Sequence, residues 1–113
     1  MTKLPYRLSA AEMDILDERR GQRTREGFFH THDDRHTGFQ LSQAADEYLR
    51  AAVTCARHPE INPCNLRASG SWPWSARWWK PCAPRRMLVK AAALLIAEIE
   101  RMDRAARGNG GAP

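Results

Sequence analysis

Apolar residues recur along this chain at helical spacing, and no stretch alternates with the period of two that a half-buried strand needs. Ser9 and Glu12 are spaced as a capping box, in which hydroxyl and carboxylate answer orphan backbone N–H groups. Leu8 and Met13 stand where a hydrophobic staple would close over it. A first helix is therefore predicted from Ser9 to about Glu26, stopping at Gly27. Gly21 inside it costs about 1 kcal/mol relative to Ala, so this end is expected to bend or fray. A second helix is predicted to start at Thr37, with Gln40 completing another capping box. Leu41, Ala44, Ala45, Tyr48, Leu49, Ala52 and Ala56 then form one buried stripe, which ends before Pro59. The third helix begins near Pro84, a good first-turn residue, and runs to about Arg107 with Gly108 as its stop.

These elements predict an all-α fold: a three-helix protomer with a long Trp-rich loop. Between Met87 and Ile99 the third helix is apolar nearly all round, broken mainly by Lys90 and Glu98. Two other helices of this size do not cover such a surface. A homodimer is therefore expected, with the third helix packed across the interface in a bundle of four or more helices. The connection from His58 to Ala83 exceeds the ~12–15 residues of an ordinary loop, and its four tryptophans argue against disorder. It is expected to fold back on the bundle as one wall of a site.

At 113 residues the chain reads as one domain, residues 1–107, followed by a flexible tail, residues 108–113. The formal charge of +5 favours an anionic partner without choosing its kind. No apolar run approaches the ~20 residues that span a membrane, and the first residues lack the apolar core of a secretory signal. Cys55, Cys64 and Cys82 make an odd number, which suits reduced thiols and a cytoplasmic setting.

All four tryptophans, Trp72, Trp74, Trp78 and Trp79, fall in one stretch with Arg77, Lys80, Arg85, Arg86 and Lys90. Indole faces beside fixed positive charge suit a nucleotide, with the base stacked and the phosphate paired. The competing reading is that the indoles plug a thin core while the arginines are merely solvated. Metal chemistry has two candidate sources. One is the run His30, His32, Asp33, Asp34 and His36, where oxygen ligands suit Mg²⁺ or Mn²⁺ and the histidines tilt the choice towards Mn²⁺ or Zn²⁺. The other is a Zn²⁺ set of Cys55, His58, Cys64 and Cys82, whose spacing matches no strong pattern. Glu98 lies deep in the apolar run and reads as an internal polar contact, whereas Glu100 and Asp103 read as a solvated helix end.

Two segments carry a resemblance. The first is Glu18-Arg19-Arg20-Gly21-Gln22 with Glu26-Gly27-Phe28 and His32-Asp33-Asp34-Arg35-His36; the second runs from Pro84 to Arg104. With the Trp72-Pro73-Trp74 and Trp78-Trp79-Lys80-Pro81 loop, they resemble a set of small phage and prophage proteins over about residues 14–104. More distantly the layout is similar to MazG-like nucleotide pyrophosphohydrolases, all-α dimers that hold Mg²⁺ with carboxylates on two helices. The resemblance implies a phage-encoded cytoplasmic protein acting on nucleotides. Where that enzyme family has acids early in its second metal helix, this chain has Met87 and Lys90. A lysine there attracts phosphate directly and favours binding over cleavage.

The leading expectation is nucleotide binding that sequesters a signal of antiviral defence. Arg19, Gln22, Arg23, Trp78, Trp79, Lys80, Arg85, Arg86 and Lys90 would form the site, with no cofactor required. The first alternative is a metal-dependent pyrophosphohydrolase, with Glu18, Asp33, Asp34, Glu47 and Glu98 holding Mg²⁺ or Mn²⁺. A further alternative is inhibition of a host defence protein through the Trp-rich loop.

Overall fold

The computed structural model describes residues 6–24 and 38–108. Three helices carry the fold: α1 (Ala10–Thr24), α2 (Gln40–Arg57) and α3 (Pro84–Ala106). No strand occurs among the described residues. The all-α expectation holds. No described helix is long and apolar enough to cross a membrane. The proposed extension of helix one to Glu26 and Gly27, the His30–His36 run, Thr37 and residues 109–113 lie outside the described residues.

The start of α1 follows its sequence signal. Glu12 N–H donates to Ser9 Oγ at 3.0 Å, and Ser9 N–H donates to Glu12 Oε1 at 2.8 Å. Met13, the expected staple residue, is about half exposed. The start of α2 departs from expectation. Phe39 precedes its first residue with φ 64°, a left-handed conformation unusual for a bulky side chain, and offers no side-chain cap. Gln40 turns back to accept from Gly38 N–H at 2.9 Å. The missing cap comes from α3: Glu98 accepts from Ser42 N–H at 3.2 Å and from Ser42 Oγ at 2.9 Å. A carboxylate at a helix N-terminus answers both its orphan N–H groups and its partial positive charge. At the other end of the fold, α3 starts with Pro84 and ends at Ala106, and Arg107 and Gly108 close it in a π turn.

α2 and α3 pack antiparallel, as the contact of Ser42 with Glu98 and of Tyr48 with Lys90 requires. Leu41, Ala44, Ala45 and Ala52 meet Met87, Ala91, Leu94 and Ala97 in one core cluster. Alanine at so many contact positions lets the two helix axes approach closely. α1 lies on another side of α3 and runs parallel to it. Its contacts there are charged: Asp14 with Arg85 at 2.8 Å, Glu18 with Arg86, Arg19 with Glu100 at 2.9 Å, and Arg23 with Glu100 at 3.0 Å. α1 is acidic then basic, and α3 is basic then acidic, so parallel packing sets opposite charges side by side along the seam.

The Trp-rich loop folds back as expected and completes the core. Two short 3-10 turns, Pro63–Asn65 and Ala76–Trp78, shape it. Trp79 stacks on Tyr48 with centroids 4.7 Å apart, and Trp72 meets both rings edge-on at 5.6 and 5.0 Å. Trp79 Nε1 donates to Leu66 O at 3.0 Å, and Trp72 Nε1 donates to Ser75 O at 3.1 Å. Lys80 N–H donates to the Tyr48 hydroxyl at 3.0 Å. Lys90 then donates from Nζ to Lys80 O at 3.0 Å while lying over the Tyr48 ring.

Two outcomes are expected. Tyr48→Phe keeps the stack but leaves Lys80 N–H without its acceptor; chemical denaturation is expected to register a loss of about 1–3 kcal/mol. An unchanged midpoint would show that the hydroxyl holds nothing. The second concerns Glu100. Burial pushes its carboxyl up, but the hydrogen bonds and charges of Arg19 and Arg23 outweigh that and hold it below its ordinary 4.5. Such a group stabilises the fold above its unfolded value, and the contribution fades as pH falls through the folded one. Urea midpoints are therefore expected to drop as the solution is acidified below 4.5, with part of that drop absent in Glu100→Gln. Parallel profiles for the two proteins would contradict the assignment.

Candidate functional site

Two cavities flank the Tyr48–Trp79 stack, and of the residues expected to bind a nucleotide only Trp79 lines the second. On the α1 side, Glu18, Gln22 and Lys90 face Trp72, Trp74 and Trp78 across a narrow pocket closed by Tyr48 and Leu94. Its volume is about 20 Å³, enough for one water and far short of a nucleobase. The acceptor Oε1 of Gln22, a residue 2% exposed, has no hydrogen-bond partner among the described residues. A water is the group that fits both that oxygen and that volume.

The cations expected around this pocket are already engaged. Arg85 and Arg86 pair with Asp14 and Glu18. Arg19 and Arg23 pair with Glu100, and Lys90 is held by Lys80 O and the Tyr48 ring. Trp78 is the most exposed of the four indoles at 40%, and Arg77 covers its ring at 5.1 Å. Lys80 is exposed. Arg85, Arg86 and Lys90 therefore do not gather on one shared phosphate site: Arg86 and Lys90 help hold α1 and the loop to α3, and Arg85 makes an exposed pair with Asp14, whose side chains are 62% and 44% exposed.

On the other side, between α2 and the loop, lies a groove of about 360 Å³. Arg50 and Thr54 line it from α2; Arg67, Ser69 and Ser71 line it from the loop; Trp79 and Glu47 form its floor. This volume lies within the usual range for small-molecule pockets. Arg67 is exposed, and no carboxylate among the described residues engages it. Among the described residues Arg50 pairs only with Asp46, at 2.9 Å, in a pair whose side chains are 76% and 49% exposed. Ion pairs this exposed are weak and yield readily to a multiply charged ligand. Ser69 is less free, because its hydroxyl donates to Glu47 Oε1 at 2.7 Å and accepts from Ser71 N–H at 3.1 Å. Trp79 therefore has one face on Tyr48 and its remaining edge towards this groove. At 8% exposure that edge bounds the groove without offering a free face for stacking a base, a second correction to expectation.

The sequence reading missed Arg50, Arg67, Ser69 and Ser71. A signal for them existed: Arg67-Ala68-Ser69-Gly70-Ser71 is a short basic, hydroxyl-rich segment inside a loop that is otherwise aromatic.

The proposed metal ligands do not gather. Glu18 pairs with Arg86, Glu47 takes the Ser69 hydroxyl, and Glu98 caps α2 while accepting from Arg101 Nε at 2.6 Å. Among the described residues no three of His, Cys, Asp or Glu lie close enough to hold a metal, which covers Cys55, His58, Cys64 and Cys82 as well. Asp33 and Asp34 lie outside the described residues. Among the described residues, Glu18, Glu47 and Glu98 therefore form no common metal site.

Compared with known proteins, the chain matches no family model, no curated protein and no solved structure.

Proposed function

We propose that this protein binds a nucleotide or another phosphorylated small molecule in the groove between α2 and the loop, and does not cleave it. One observation carries the reading: this groove alone among the described cavities combines ligand-sized volume with two exposed guanidinium groups, Arg50 and Arg67. The pocket on the α1 side is too small, and the third cavity is lined mainly by leucine and alanine. Arg67 and Arg50 meet phosphate oxygens in this reading, Ser71 and Thr54 supply hydroxyl donors, and the Trp79 edge limits the depth of entry. Binding without turnover is supported by the separate engagement of Glu18, Glu47 and Glu98. A protein of this kind acts by lowering the free concentration of its ligand. In a phage-encoded setting, the role suggested by the sequence resemblance, that ligand is a nucleotide signal of antiviral defence.

Calorimetry with a panel of linear and cyclic nucleotides tests the reading. Binding is expected for at least one member, and Arg67→Ala is expected to weaken it about tenfold, the loss of one charge-assisted contact. Arg86→Ala is expected to leave the affinity unchanged, because Arg86 lies on the far side of the aromatic stack. No heat from any nucleotide at about 100 µM would remove the proposal. Weakening by Arg86→Ala but not by Arg67→Ala would move the ligand to the α1 side.

A further inference from the structure

α3 has three sides: α2 covers one, α1 another, and no described residue covers the third. Leu88, Ala92, Leu95, Ile99 and Met102 lie along the open side, spaced by four, three, four and three. The four large members are between 45% and 57% exposed. Leu49 and Val53 of α2 extend the same surface, and a groove of about 350 Å³ runs between the two helices. Alternating spacings of three and four are what a helix shows when a second helix packs along it, knob into hole, at a shallow angle. A contiguous apolar patch of this kind marks an interaction surface on a small protein.

We infer that the occupant of this surface is a second copy of the chain, with the two α3 helices antiparallel. Self-pairing needs a partner helix with matching spacing, and this stripe supplies it to its own copy through a two-fold axis. Charge selects the direction. Counting three residues back from Leu88, the next seam position is Arg85, while Asp103 stands at the opposite end beside Met102. Asp103 is exposed and has no ion-pair partner among the described residues. Antiparallel pairing sets Leu88 near the partner's Ile99 and Arg85 near the partner's Asp103. Parallel pairing would instead set Arg85 against the partner's Arg85. With α2 alongside, the assembly is a bundle with four central helices, two from each copy. This inference stands apart from the ligand groove, which faces the loop.

Sedimentation equilibrium at micromolar concentration tests it. The wild-type chain is expected at twice its 12.9 kDa mass. Leu95→Glu is expected at the single-chain mass with unchanged helical circular dichroism, because Leu95 is already half exposed in the single chain. Leu16→Glu changes an equally exposed leucine on the outer face of α1 and is expected to stay at the doubled mass. Asp103→Arg is expected to raise the dissociation constant about tenfold by facing the partner's Arg85 with like charge. A wild-type chain at its single mass, or a Leu95→Glu variant that keeps the doubled mass, would overturn the inference. An unaffected Asp103→Arg dimer would overturn the antiparallel direction.

Discussion

The Tyr48 side chain is the joint on which the rest of this structure depends. The residue is 5% exposed, and its ring makes three different contacts: Trp79 against its face, Trp72 at its edge, and the Lys90 ammonium over the π-system. Its hydroxyl, at the far end of the same side chain, accepts the backbone of Lys80. One residue of α2 thereby binds the loop to α3. A domain with an alanine-rich helix pair has little bulk at its contacts, and the indoles supply the missing area. Of the stacked pair, Tyr48 lines the pocket on the α1 side and Trp79 lines the groove beside α2.

Buried charge plays an architectural part throughout. Glu98, 3% exposed, caps α2 from α3 and is neutralised by Arg101, which is 7% exposed. A buried carboxylate costs several kcal/mol in desolvation unless such partners answer it. Glu18, Arg19 and Gln22 are equally buried where α1 lies against α3. An interface of this kind gains less from hydrophobic burial than an apolar one, but it fixes direction and register. A reversed α1 would place acid against acid. This explains how a helix whose Met13 and Leu16 point outward still has one docking position.

Local signals were legible in the sequence because their causes are local. The Ser9–Glu12 box, the stop before Pro59 and the Pro84 start each depend on residues within a few positions. The apolar stripe of α2 was readable for the same reason, except that Leu49 faces the open groove and Cys55, not Ala56, is the buried residue of its last turn. Phe39 at positive φ was not readable, since its compensation comes from Glu98, fifty-nine positions away along the sequence. The Trp-rich segment was recognised as folded and important, but composition does not say which way an indole points. Trp72 and Trp79 turn in while Trp78 stays at the surface, although Trp78 and Trp79 are neighbours. The cations near them were invisible as ion-pair partners because Asp14, Glu18 and Glu100 are distant in sequence. The open stripe on α3 was visible as an excess of apolar residues, and only the packing of α1 and α2 revealed which of them remain uncovered.

Hydrogen exchange of the four indole N–H groups, resolved by nitrogen-15 NMR, tests the central arrangement most directly. The account predicts slow exchange for Trp79 and Trp72, whose Nε1 atoms donate to Leu66 O and Ser75 O beside the Tyr48 ring. It predicts solvent-limited exchange for Trp78. If the Trp79 indole exchanged as fast as that of Trp78, the stacked joint and the groove built on it would be contradicted.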